Sequence, residues 1–163
     1  MATVTNIANF KRALLDEIQA LSISSATAAA PAEVQVTYSQ PPVETWRSES
    51  VYFGAEMRTV SDPEYRLTGG RRKRFNVWEV ELYVSSAIIS DAENAEERAF
   101  TIATAVESFL ADNPQPAEWT TSPTDAGVLQ CLVMGYEVDQ AVDVEGYLRV
   151  EIIMTLEVKE RLV

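Results

Sequence analysis

Apolar residues stand at every second position from Leu148 to Val158: Leu148, Val150, Ile152, Met154, Leu156 and Val158. Arg149, Glu151, Thr155, Glu157 and Lys159 take the alternate positions, and Ile153 alone breaks the polar set. Strand side chains point alternately to two faces, so this period marks a strand covered on one side and wet on the other. Such one-sided strands belong to antiparallel sheets backed by helices, because strands of a doubly wound parallel sheet are apolar throughout. These residues are read as a core strand with no chemistry of their own. They fix the architecture.

Two stretches carry the helical period. Ile7, Phe10, Leu14, Ile18 and Leu21 lie three or four apart, with Leu15 at the margin, predicting a helix capped by Thr5 or Asn6. Ala95, Ala99, Ile102, Ala103, Val106, Phe109 and Leu110 make the buried face of a second. Ser90 or Asp91 caps it, Glu93, Glu96 and Glu97 complement its positive end, and Asn113-Pro114 stops it. Further strands are expected near 34–38, 50–55, 74–85 and 128–139. In the third of these Trp78, Val80, Leu82 and Val84 face inward while Glu79, Glu81 and Tyr83 face out. Pro41-Pro42 ends the first, and a loop over 43–49 carries Trp46. Between Glu56 and Lys73 the chain is polar with turns at 61–64 and Gly69-Gly70, so a long loop or extended hairpin arm is expected at about 56–74. The reading is an α+β fold: a mainly antiparallel twisted sheet of four to six strands, with helices at about 6–21 and 91–111 packed on one face. The 163 residues suit one domain.

Composition narrows the function. A net charge of −12 argues against a dedicated nucleic-acid binder and against adsorption to anionic membranes, since both need excess Lys and Arg. The chain has no histidine, which removes Ser-His-Asp and Cys-His nucleophilic sites and histidine-ligated zinc. Cys131 is the only cysteine, so no intrachain disulfide forms, as suits a reducing cytoplasm. The N-terminal charges follow the apolar residues, the wrong order for a secretory signal, and no apolar run approaches a membrane span. The chain is expected to be soluble and to stay where it is made. No cofactor or metal is expected, and the spacing of the acids promotes no catalysis; the protein is read as not an enzyme.

The cluster Gly69-Gly70-Arg71-Arg72-Lys73-Arg74 stands out in this acidic chain. It precedes a strand and lacks a P-loop ending, so it is no phosphate cradle. It also lacks the glycine-aromatic pattern of an RNA-binding strand. A solvated loop tip is the bland reading; a docking arm for acidic protein surface, supplied by other copies of this chain, is the sharper one and is favoured. Trp46 and Trp119 sit beside prolines, each as a cap on the core or an interface anchor. Phe100 stands at the edge of the second helix's stripe, as core margin or subunit contact. Subunit-interface candidates are therefore Arg71, Arg72, Lys73, Arg74, Trp46, Phe100 and Trp119. Cys131 is read as a small buried hydrophobe.

Several stretches together resemble the tail terminator (tail completion) proteins of long-tailed bacteriophages. They are the opening amphipathic helix, Val34-Gln-Val-Thr-Tyr, Glu49-Ser-Val-Tyr-Phe-Gly, Phe75–Val84, the helix opening Asp91-Ala92-Glu93-Asn94-Ala95-Glu96-Glu97-Arg98-Ala99, and Tyr147–Val158. The resemblance spans nearly the whole chain as a pattern, and other neck and head-tail connector proteins share it. It implies a subunit that closes into a homo-hexameric ring, caps the tail tube, ends its polymerisation and forms the head-tail joining surface. Implied partners are further copies of the chain, the tail-tube protein and a head-side connector or neck protein, with no membrane. DNA would pass the channel without specific binding, in a virion assembled in the host cytoplasm. The family has no catalytic residues to transfer. Two other classes have comparable elements: a small hot-dog-like enzyme, which needs a deep pocket with a buried acid, and a single-stranded nucleic-acid module, which needs a basic aromatic groove.

Overall fold

The computed structural model describes residues 7–24, 33–59, 64–68, 71–88, 92–120, 127–142 and 148–162, with the backbone alone at 59, 64–68, 71–74, 92, 141, 142 and 162. The elements are α1 (Ile7–Ala20), β1 (Gln35–Thr37), a 3-10 turn at Val43–Thr45, β2 (Glu49–Thr59), β3 (Glu64–Thr68) and β4 (Arg71–Ile88). They continue with α2 (Ala92–Asp112), a 3-10 turn at Pro116–Glu118, β5 (Val128–Val142) and β6 (Leu148–Leu162). The strands form one open sheet in the order β1-β2-β4-β6-β5, with β3 paired beside β4. β1 runs parallel to β2 and every other pair is antiparallel. The expected α+β architecture is therefore present.

The alternating strand read first, β6, lies between β4 and β5 and pairs with β4 from Arg74↔Leu162 to Ile88↔Leu148. That register aligns apolar residues across three strands: Val51 with Val84 and Ile152, and Phe53 with Leu82 and Met154. All six are buried. Each such side chain contributes about 1.5–3 kcal/mol by leaving water, so this face supplies most of the drive to fold. α2 lies over it with Ala95, Ala99 and Ala103, whose small side chains let the helix come close, and with Ile102, Val106 and Leu110. α1 adds Ile7, Phe10, Ala13, Leu14, Leu15 and Ile18 to the same core.

Two details differ from expectation, and a third fills in one. Leu21 is exposed at 38%, because α1 ends at Ala20 and Ser22 turns the chain away with φ 49°, the left-handed conformation that commonly ends a helix. β2 continues to Thr59 and β3 pairs with β4 from Glu64↔Phe75 to Thr68↔Arg71, so strand backbone occupies much of 56–74. The parallel pairing of β1 departs from the expected antiparallel sheet. Gln35 secures the return loop there, donating from Nε2 to the Thr45 carbonyl (3.1 Å) and accepting from the Arg47 amide (2.9 Å). The expected helix caps, Thr5 or Asn6 and Ser90 or Asp91, lie outside the described residues.

Two buried carboxylates tie elements together. Glu49, fully buried on β2, accepts from Arg98 Nε of α2 at 2.9 Å and from Arg98 Nη2 at 3.3 Å. Glu160, fully buried on β6, accepts from Trp78 Nε1 at 2.9 Å.

Candidate assembly surface

The second face of the sheet carries the outward residues of the central strands. One cross-strand row on it reads Tyr52, Tyr83, Ile153 and Glu137, from β2 through β4 and β6 to β5. The rings of Tyr52 and Tyr83 stack at 5.4 Å and 13°. Each hydroxyl donates to a carboxylate: Tyr52 to Glu151 Oε1 at 2.6 Å, Tyr83 to Glu81 Oε2 at 3.1 Å. Burial, then the hydrogen bond to Glu151, pushes the Tyr52 phenol far above its ordinary range. Burial and the Glu81 charge push Tyr83 up to about 12. Gly54 makes room for this arrangement, since a Cβ there would sit 2.6 Å from Tyr83 Cε2.

Trp46 closes one end of the row. Its ring meets Tyr52 edge-on at 5.9 Å and 81°, and its Nε1 donates to Ser50 Oγ at 2.9 Å. The Arg149 guanidinium lies 3.9 Å from the Trp46 centroid and donates to Ser85 Oγ at 2.7 Å. The face thus already holds one arginine against an aromatic ring. A second, Arg58, pairs with Glu79 at 2.8 Å.

Beside the stacked tyrosines, a β2 irregularity between Phe53 and Met57 interrupts pairing with β4. A cleft of ≈ 750 Å³ opens there, with Tyr52, Tyr83 and Ile153 in its lining and Glu81, Glu137 and Glu151 beside them. Glu56 adds a fourth carboxylate, and among the described residues Lys11 is the one lining cation. A smaller cleft of ≈ 380 Å³ shares Ala55, Glu56 and Glu81 with it and runs on to Arg58 and Glu79. Like charges also face each other across strands, Glu79 opposite Glu157 and Glu151 opposite Asp139. Each such pair costs the isolated sheet about 0.2–1 kcal/mol.

The sequence-predicted residues do not form one patch. The backbone of Arg71, Arg72, Lys73 and Arg74 lies in β4 opposite Thr68 to Tyr65 of β3, and their side chains lie outside the described residues. Trp46 stands on the open face, whereas Phe100, 41% exposed, stands on α2 across the sheet. Trp119 is 3% exposed, with Phe10 and Phe109 each 5.7 Å away and Nε1 donating to the Asn113 carbonyl at 2.9 Å, so it caps the core. Cys131 is buried in the core, and burial pushes its thiol up to about 12. Tyr52, Glu137, Glu151 and Arg149 were not singled out from sequence. The available signal was Ile153, the single apolar residue in the polar half of β6, which lines the cleft.

The cleft is aromatic but acidic, unlike a nucleic-acid groove. The fully buried acids Glu49 and Glu160 are tied to Arg98 and Trp78, outside that cleft. Among the described residues no group of three or more His, Cys, Asp or Glu is placed to hold a metal ion. No helix among them is long and apolar enough to cross a membrane.

No protein-family model matches the chain, and a search of curated proteins gives no match. Among solved structures, a chain from "Virion of native gene transfer agent (GTA) particle" aligns over 96% of this chain and 99% of its own. The two are 13% identical with a TM-score of 0.49, a likeness too slight to carry function.

Proposed function

We infer that the chain is a structural subunit of a phage-type virion, acting through self-assembly. In this reading it closes into a hexameric ring, caps the tail tube, ends tube growth and presents the head-joining surface. No catalytic step belongs to this role. Support comes from the stretches that carry the tail-terminator resemblance: they fall on α1, β1, β2, β4, α2 and β6, the elements that build the sheet and its helical cover. The observation that carries the reading is the organised second sheet face, on which stacked rings, hydrogen-bonded carboxylates and a cleft stand together. A recognition surface of this kind suits a subunit that contacts protein. Heterologous contacts, in which one patch meets a different patch on the next copy, generate rings when the rotation closes. The acidic balance of the chain would let DNA pass without the counterion release that drives binding.

The test is co-assembly with the tail-tube protein of the same virus, followed by negative-stain electron microscopy. Six-fold rings at one tube end and an arrest of tube growth are expected. Tubes that lengthen unchanged, with no added density at either end, overturn the reading. Rings that bind the head-side connector but leave tube growth unaffected would assign another neck component instead.

A further inference from the structure

We propose that the acidic, tyrosine-lined cleft on the open sheet face is the receptor for the basic hairpin end, Arg71-Arg72-Lys73-Arg74, of a second copy of this chain. The proposal deepens the assembly reading and rests on it. Its first ground is charge. Residues 71–74 hold four of the chain's 13 Lys and Arg in one run, in a protein with 25 Asp and Glu. The cleft offers Glu56, Glu81, Glu137 and Glu151, against Lys11 as the one lining cation among the described residues. Its second ground is shape chemistry. Guanidinium groups combine flat stacking on aromatic rings with forked hydrogen bonds to carboxylates, and the cleft places Tyr83 beside Glu81 and Glu151. The same face already holds Arg149 over Trp46 at 3.9 Å. Its third ground is the like-charge pair at the cleft, Glu151 opposite Asp139, whose repulsion an arriving cationic segment relieves.

Geometry makes the contact intermolecular. The basic run and Tyr83 belong to the same strand, β4, in which Arg74 and Tyr83 are both paired to β6. Nine residues of antiparallel strand separate them by roughly 30 Å, a distance the paired backbone holds fixed. A chain therefore cannot fill its own cleft. Each copy gives its hairpin to a neighbour and receives one, either reciprocally in a two-fold pair or head to tail, and the head-to-tail form closes as a ring or runs on as a filament.

The test uses the full chain at low ionic strength and reads self-association by sedimentation. Glu137→Lys, on an exposed side chain with no role in the tyrosine pair, and Arg72→Glu are each expected to weaken association roughly tenfold, the scale of one charge-assisted contact. The chain carrying both substitutions should recover, because the swapped charges again attract. A second readout adds one exposed cysteine to each chain, beside the buried Cys131: Glu137→Cys mixed with Arg72→Cys should give inter-subunit disulfide dimers under oxidation, whereas Phe100→Cys mixed with Arg72→Cys should not. Association that ignores both charge reversals, or crosslinks through position 100 in place of 137, overturns the cleft proposal and leaves the assembly reading standing. Absence of any self-association, alone or on the tube, overturns both.

Discussion

Replacing Arg98 with Met isolates the energetic role of the buried pair that joins α2 to β2. The Glu49 side chain is 0% exposed and the Arg98 side chain 23%, with Nε–Oε1 at 2.9 Å and Nη2–Oε2 at 3.3 Å. Arg98 Nη2 also donates to the Ser24 carbonyl at 2.7 Å. Methionine keeps most of the apolar stem but takes the Arg98 guanidinium away from a buried carboxylate, and breaking a buried pair in this way costs about 3–5 kcal/mol. Partial exposure of Arg98 allows water to reach the site, so the expected loss is about 3 kcal/mol, at the lower end of that range. For a chain of this length that corresponds to a fall in Tm of roughly 6–12 °C. Adding Glu49→Gln to the Arg98→Met chain removes the buried charge and should restore part of the loss. Urea unfolding of the wild type, both single variants and the double variant measures the coupling directly. A loss below about 1 kcal/mol for Arg98→Met would mean the pair behaves as an ordinary surface ion pair. A double variant no more stable than Arg98→Met would show that the buried charge is not the cause.

Two further outcomes follow from perturbed groups. The Cys131 thiol, held up at about 12 by burial, should resist thiol reagents at pH 8 until the chain unfolds; modification within the mixing time in native buffer contradicts this. Tyr52 and Tyr83 have folded pKa values raised above the unfolded 10, so their stabilisation is complete below pH 10 and is lost as pH climbs through the raised folded values. Tyr52→Phe should cost about 1–2 kcal/mol at pH 7 through the lost bond to Glu151 and should flatten the fall of urea midpoint above pH 10; parallel slopes for variant and wild type would refute it.

What the sequence determined is the layer architecture. The period of two in residues 148–158 and the helical stripes at Phe10–Ile18 and Ala95–Leu110 each state which side of an element must leave water, and burial follows that demand except that Leu148 and Phe109 are only partly buried and Arg149, on the polar side, is buried. Hydrophobic periodicity is local, so it is legible without knowing the partner. β3 was too short for it: Tyr65 and Leu67 alternate, but over so few positions that the polar neighbours mask the strand. Edge strand β1, only Gln35–Thr37, carries no mark of direction, and its parallel pairing is settled by the return of the chain through Gln35 and the Val43–Thr45 turn.

Only the tertiary structure decided the surface. Tyr52 and Glu151 are separated by 99 positions in the chain yet share a 2.6 Å hydrogen bond, because β2 and β6 both flank β4. The cleft depends on the register of those strands and on the irregularity after Phe53, neither of which follows from the period of any one strand. The pattern of alternation says that a side chain points away from the core. Which carboxylates and rings then stand side by side is set by strand order and register, which are properties of the whole chain.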